Sequence, residues 1–310
     1  MRRRRGREPG GLRGAQLIVV TGKGGVGKTT VAAALARLLA ARDRRVVLLE
    51  LDGREPQHRF LDVPPSAGQP VAAGPYLHLL NLRPRAVMEA LVRDRLKIPP
   101  LARAVTASQV FRHFVDGAPG MKELAVLGHS LRLVRHEVKP RADVVIVDAP
   151  ATGHGVGLLA APALVTEAIG AGPLGRLAGE VAEFVGDPAR TAVVVTALAE
   201  EMPVQEALEL LVMLRERLGR TPDLVAVNGL YPPLPSPPPG RGTGDGGGVD
   251  QALELWRQRR AMNERELERL TAAWQGPLAR IPLFPESPGP ALVTKVADVL
   301  AGALAPQEER

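Results

Sequence analysis

The feature that most constrains the fold is a glycine-rich segment at residues 21–30, between an apolar run and a helical one. It reads TGKGGVGKTT, follows LIVV and is followed directly by VAAALARLLA. A loop with the spacing G-x-x-x-x-G-K-[ST] places backbone N–H groups around phosphates, and the start of the next helix adds its dipole. Because strand, loop and helix occur in the required order, the segment predicts a nucleotide-phosphate site.

Single residues of this segment have distinct expected roles. We expect the Lys28 ammonium to reach the β- and γ-phosphates and the Thr29 hydroxyl to bind Mg²⁺. ATP and Mg²⁺ are therefore the predicted cofactors. The residues expected to surround the nucleotide are Gly22, Gly24, Gly25, Val26, Gly27, Lys28, Thr29 and Thr30.

An acidic residue, Asp148, ends the apolar run VVIVD at 144–148. An acid at the carboxyl end of a strand beside a phosphate loop can orient Mg²⁺ or its water. Asp148 is therefore a predicted magnesium partner, acting through a water molecule. An Asp that ends a strand can instead cap the following helix, and this alternative stays open.

Short apolar runs of β type alternate with helical stretches along most of the chain, which is typical of a parallel sheet with crossover helices. The strands are predicted at 16–21, 45–51, 77–81, 143–148, 191–196, 224–228 and 278–283. Two regions without strands, about 83–140 and 158–187, are expected to be helical inserts. The predicted fold class is α/β: a P-loop NTPase with a mostly parallel sheet, helices on both faces and a helical subdomain.

The net charge of +7 is concentrated at the start of the chain. Residues 1–13 hold six arginines and one glutamate, and we predict a disordered basic tail, with attraction to phosphates or anionic lipid as the alternative. Residues 14–310 are predicted to form a single domain. Within it, residues 232–249 contain six prolines and six glycines and are expected to be a disordered loop.

The composition excludes several classes of site. Cysteine is absent, so the chain has neither disulfides nor thiolate metal sites. No run of 18 or more strongly apolar residues predicts a membrane span, and the expected location is the cytoplasm. No nucleic-acid-binding module accompanies the basic tail, so no nucleic-acid partner is expected.

Four segments occur in the order found in the ArsA-type ATPase family, which comprises arsenite and anion pump ATPases and targeting ATPases for tail-anchored membrane proteins. They are KGGVGKTT at 23–30, PGMKEL at 119–124, DAPATGH at 148–154 and VNGLYP at 227–232. The chain resembles this family over essentially residues 16–304. The resemblance implies a Mg-dependent, ATP-hydrolysing dimer switch that couples turnover to the movement or delivery of a cargo.

The resemblance also implies roles for single residues. Lys23 marks the deviant Walker A group, in which this lysine reaches across a dimer interface to the partner's nucleotide. Asp52 would position the attacking water, so the implied catalytic residues are Asp52, Lys23 and Lys28. Asn228 would read the adenine base, and the segment that contains Pro282 would cover the adenine ring.

Departures from the family pattern leave alternatives open. The chain continues after Asp52 as G-R-E, where the family has P-A-H. This difference motivates an alternative function, a nucleotide-sensing regulatory or scaffold subunit with little turnover, paired with a paralogue. The lack of cysteine argues against a thiolate arsenite site and a zinc-bridged dimer. The expected partners are a second copy or a paralogue, and a cargo or membrane partner at the helical inserts.

Overall fold

The computed structural model describes residues 11–51, 53–96, 98–150, 154–169, 172–234 and 247–304. Its strands are β1 (Leu17–Gly22), β2 (Val46–Glu50), β3 (Val71–Gly74), β4 (Leu77–Asn81), β5 (Val144–Asp148), β6 (Thr191–Leu198), β7 (Leu224–Leu230) and β8 (Leu278–Pro282). Its helices are α1 (Lys28–Ala40), α2 (Gln57–Leu61), α3 (Pro84–Leu96), α4 (Pro99–Ala107), α5 (Gln109–Gly117), α6 (Met121–Val134), α7 (His154–Ile169), α8 (Pro173–Gly186), α9 (Glu201–Leu218), α10 (Gly247–Ala273) and α11 (Pro290–Ala303).

The eight strands of the described residues form one sheet, in the order β3-β4-β2-β5-β1-β6-β7-β8. Every pairing is parallel except that of β3 with β4, which is antiparallel. The strands β1, β5 and β2 are neighbours, so Asp148 is opposite Val20 on one side and opposite Glu50 on the other. The carboxyl ends of these three strands therefore meet at the same end of the sheet.

The predicted sheet is confirmed: each of the seven predicted strands is present, and its ends differ from the prediction by at most two residues. The sequence analysis missed β3. Its sequence, VAAG, consists mostly of alanine and glycine, which are weak strand formers, so no local pattern marks it. It becomes a strand because it pairs with β4 at the edge of the sheet.

Helices cover both faces of the sheet. On one face, α1 packs against α11, and the alanines and leucines of α1 are almost all buried. On the other face, α6, α7, α8 and α9 cover the sheet, with Phe184 among the largest fully buried side chains. Because both faces are covered, all five residues of β5 are buried, which explains its continuous apolar run.

The predicted helical inserts, 83–140 and 158–187, contain α3 to α6 and most of α7 with α8. In α6, the stripe formed by Leu124, Leu127 and Leu131 is buried against the sheet. None of the helices in the described ranges has an apolar stretch long enough to cross a membrane. Most of the predicted tail, residues 1–10, and of the predicted Pro/Gly loop, residues 235–246, lies outside the described residues.

Candidate functional site

The glycine-rich loop connects the end of β1 to the start of α1. The residues predicted from the motif to surround the nucleotide lie at the end of β1, in the loop and in the first turn of the helix: Gly22, Gly24, Gly25, Val26, Gly27, Lys28, Thr29 and Thr30. Gly27 caps α1 in the left-handed region, with φ at 93°, and a Cβ there would overlap the side-chain amide of Asn228. Only glycine fits this position.

The Lys28 side chain is buried in this loop, with 8% of the residue exposed. Its Nζ atom donates a hydrogen bond to the Lys23 carbonyl oxygen at 2.8 Å. Burial lowers the pKa of Lys28 below its ordinary value, and the nearby Asp148 carboxylate acts in the opposite direction. The loop thus holds an ammonium group that is largely shielded from water and that an incoming anion would stabilise.

Asp148 ends β5 next to the loop and is also 8% exposed. Its Oδ2 atom accepts a hydrogen bond from the Gln57 side-chain amide at 3.0 Å. Both Asp148 and Lys28 line the same cavity, so the structure brings the predicted phosphate-binding cation and the predicted magnesium partner together.

Gln57 is a site residue that the sequence analysis missed. The residue is fully buried, and its Nε2 group also donates to the Thr29 carbonyl oxygen at 3.1 Å. Its backbone N–H donates to Glu50 Oε2 at 3.0 Å, and Glu50, at the end of β2, is itself buried. Nothing in the local pattern marks Gln57; the only signal was its place soon after the end of a strand beside the loop.

The cavity at this end of the sheet has a volume of about 440 Å³. It is lined by the phosphate loop, by the segment that follows β2 and by the end of β5: Gly24, Gly25, Lys28, Thr29, Glu50, Leu51, Gly53, Arg54, Pro56, Asp148, Ala149 and Pro150. Asp52, the predicted catalytic acid, lies outside the described residues. Its neighbours on both sides, Leu51 and Gly53, line the cavity.

The two residues predicted to contact adenine lie on the far side of β1. Asn228, on β7, donates from Nδ2 to the Val26 carbonyl oxygen at 3.1 Å, so it contacts the phosphate loop directly. Pro282, at the end of β8, pairs with Leu230. The structure therefore places Asn228 at the loop and Pro282 on the adjacent strand, and their roles toward adenine remain predictions.

Comparison with known proteins agrees with this arrangement. The family model described as "Anion-transporting ATPase" matches residues 15–172, which include the phosphate loop and Asp148. The chain belongs to the anion-transporting ATPase family.

Three curated relatives of this anion-transporting ATPase family member align with different shares of the chain. ATPase BagA of Mycobacterium tuberculosis is 31% identical over 210 residues, which are 65% of this chain and 61% of BagA. An arsenical pump-driving ATPase of Escherichia coli is 27% identical over 230 residues, 68% of this chain and 39% of the relative. ATPase ASNA1 homolog 2 of Paramecium tetraurelia is 28% identical over 157 residues, 49% of this chain and 46% of the relative. The match thus spans less than two thirds of these relatives.

The sheet topology and the membership of the anion-transporting ATPase family confirm the predicted fold class: a P-loop NTPase of the α/β class with a mostly parallel sheet. Its site fits a magnesium ion, because Thr29 and Asp148, whose side chains carry a hydroxyl and a carboxylate oxygen, line one cavity with Lys28. Mg²⁺ prefers such oxygen ligands and takes most of its remaining ligands from phosphates and water. Within the described ranges, no three His, Cys, Asp or Glu side chains are grouped as metal ligands.

The Lys23 side chain has an ion-pair partner within the chain that the sequence did not predict. Its Nζ atom forms an ion pair with Glu206 Oε1 of α9 at 2.6 Å, and the two side chains are 30% and 33% exposed. The pair borders a second cavity, of about 230 Å³, between the end of β6 and α9. In this single chain of the anion-transporting ATPase family, the predicted partner-reaching lysine is therefore held by the chain's own acid.

Proposed function

We propose that this anion-transporting ATPase family member binds ATP with Mg²⁺ and hydrolyses it as a dimer, coupling turnover to the movement or delivery of a cargo. One observation carries the proposal. The buried residues Lys28, at the start of α1, and Asp148, at the end of β5, line one cavity of about 440 Å³ together with the glycine loop.

Phosphate binding follows from the loop itself. Backbone N–H groups of the loop and the first turn of α1 would bind the phosphate oxygens, and the helix dipole would favour their charge. The Lys28 ammonium, now bound to the Lys23 carbonyl oxygen, would exchange this neutral acceptor for anionic phosphate oxygens, which bind it more strongly. The Asn228 amide, already in contact with the loop, would bind the base.

Hydrolysis needs a positioned water and stabilised charge. In this proposal, Asp52 orients the water in line with the γ-phosphate, and Lys28 stabilises the charge of the transferred group. Thr29 and Asp148 would hold the magnesium ion, the latter through water; the ion neutralises phosphate charge. Because Gly53 and Arg54 line the cavity, loss of the γ-phosphate would change the contacts of the segment that follows β2.

The proposed dimer, formed with a second copy or a paralogue, would bring Lys23 of each chain to the nucleotide of the other. The cargo or membrane partner would bind at the helical inserts. The reason for placing the partner there is that each insert exposes a large apolar side chain: Leu101 of α4 is 47% exposed and Leu164 of α7 is 60% exposed.

A second candidate function is a nucleotide-sensing subunit that turns over little ATP without a paralogous partner. The ion pair between Lys23 and Glu206 favours it, because in this state the lysine is not available to another chain. The two candidates share ATP binding and differ in turnover by the protein alone.

Calorimetric titration with ATP and Mg²⁺ tests the shared step. The unsubstituted chain should bind, and Lys28→Ala should bind at least tenfold more weakly, because a charge-assisted hydrogen bond to phosphate contributes about 1.5–3 kcal/mol. The matched control is Lys122→Ala, which removes an exposed lysine of α6. Equal affinities for the Lys28 and Lys122 variants would contradict the proposal.

A further inference from the structure

Gln57 connects three parts of the nucleotide site through a single buried side chain and its backbone. The Nε2 group donates to Asp148 Oδ2 and to the Thr29 carbonyl oxygen, at 3.0 and 3.1 Å. The backbone N–H donates to Glu50 Oε2 at 3.0 Å. The end of β5, the first turn of α1 and the end of β2 are thus held together at one residue.

The orientation of the Gln57 amide follows from its neighbours. A carboxylate oxygen and a carbonyl oxygen can only accept, so the nitrogen of the amide must face them. The Oε1 atom is buried and has no hydrogen-bond partner among the described residues. An unpartnered buried polar atom costs about 1–3 kcal/mol. A methionine of similar volume would avoid this cost, so packing alone does not explain an amide at this position.

The position of Gln57 along the chain adds a second argument. It begins α2 directly after the segment that lines the cavity, which includes Gly53, Arg54 and Pro56. A displacement of that segment would move Gln57, and the hydrogen bond to Asp148 would pass the displacement to the end of β5. Asp148 is therefore connected to the segment after β2 through one amide.

We propose that Gln57 is a positioning residue, which holds the Asp148 carboxylate against the first turn of α1 so that the site binds Mg²⁺ together with the nucleotide. The inference rests on the proposed ATP binding but concerns a separate quantity, the gain in nucleotide affinity that Mg²⁺ provides. Mutation of a residue that hydrogen-bonds to a metal-binding group and orients it typically lowers metal affinity 10- to 100-fold.

The experiment measures the affinity for a fluorescent, non-hydrolysable ATP analogue, once with Mg²⁺ and once with EDTA. The ratio of the two dissociation constants is the magnesium gain. Gln57→Met should reduce this gain about tenfold or more, and should leave the affinity measured in EDTA within about twofold, since Lys28 and the loop amides are unchanged. Gln16→Met, at the opposite end of the sheet, where Gln16 accepts from Arg190, is the matched control and should keep the full gain.

A double-mutant cycle separates positioning from general damage. If Gln57 acts through Asp148, then Gln57→Met should have little further effect on the magnesium gain in an Asp148→Asn background. Should Gln57→Met fail to fold, Gln57→Asn replaces it; this amide is one methylene shorter, cannot reach both acceptors, and should lose the same gain.

The outcomes distinguish this inference from the proposed function. A full magnesium gain in the folded Gln57 variant would overturn the inference and leave ATP binding intact. An equal loss of affinity in Mg²⁺ and in EDTA would also overturn the inference. So would effects of Gln57→Met and Asp148→Asn that simply add, or the absence of any magnesium gain in the unsubstituted chain. Failure of that chain to bind the analogue at all would overturn both.

Discussion

The ion pair between Lys23 and Glu206 predicts how readily the proposed dimer forms. For Lys23 to reach the nucleotide of a partner, its ammonium must leave the Glu206 carboxylate, at 2.6 Å in the single chain. Glu206→Gln keeps the size and shape of the side chain and removes its charge. The substitution should therefore weaken the single-chain state relative to the dimer and lower the protein concentration at which ATP-bound chains associate.

The size of the effect follows from the exposure of the pair. With side chains that are 30% and 33% exposed, the pair resembles a surface ion pair, which contributes about 0.2–1 kcal/mol. Two such pairs break when two chains associate, so the dimer would gain about 0.4–2 kcal/mol. A difference of 1.4 kcal/mol is tenfold in an equilibrium constant, so the dissociation constant should fall about 2- to 30-fold.

Sedimentation velocity over a range of concentrations, with a non-hydrolysable ATP analogue and Mg²⁺, measures this constant. Glu209→Gln is the matched control: Glu209 lies one turn along α9 and lines the same small cavity, but it accepts from Gln205 and not from Lys23. The effect of Glu206→Gln should also shrink in high salt, which screens exposed charges. A dissociation constant that is unchanged or higher in Glu206→Gln, relative to Glu209→Gln, would refute the reasoning.

Three further predictions concern stability and the loop. Burial, with a smaller contribution from Arg132, lowers the pKa of His129 to about 4, whereas in the unfolded chain this histidine binds its proton near pH 6.5. The free energy of unfolding, measured in urea, should therefore fall as the pH drops from 6.5 to 4, and His129→Gln should flatten this pH dependence. Phe184→Ala should cost about 3–5 kcal/mol in urea unfolding, because the ring is fully buried; a loss below 1 kcal/mol would contradict the packing. Gly27→Ala should abolish nucleotide binding in a calorimetric titration, because its Cβ would overlap Asn228 and its backbone is left-handed.

The parts of the fold that the sequence predicted are those with a strong local pattern. The apolar run VVIV of β5 and the glycine loop before α1 are each recognisable from a short stretch of sequence. The edge strand β3 does not, because its alanines and glycine acquire their conformation from pairing with β4.

The same distinction applies within the site. Lys28 and Asp148 were predicted because a loop motif and a strand end place them, and they do line one cavity. Gln57 was missed, since its three hydrogen bonds reach residues 7, 28 and 91 positions away. The ion pair of Lys23 joins residues 183 positions apart, so no spacing rule reveals it.

The most direct test of the central claim is steady-state ATP hydrolysis with Mg²⁺ as a function of protein concentration, with Asp52→Asn measured beside it. A dimer that hydrolyses ATP predicts that the specific activity rises with concentration and is lost in Asp52→Asn. Negligible turnover at every concentration, despite tight ATP binding, would contradict hydrolysis by the protein alone and favour the nucleotide-sensing subunit.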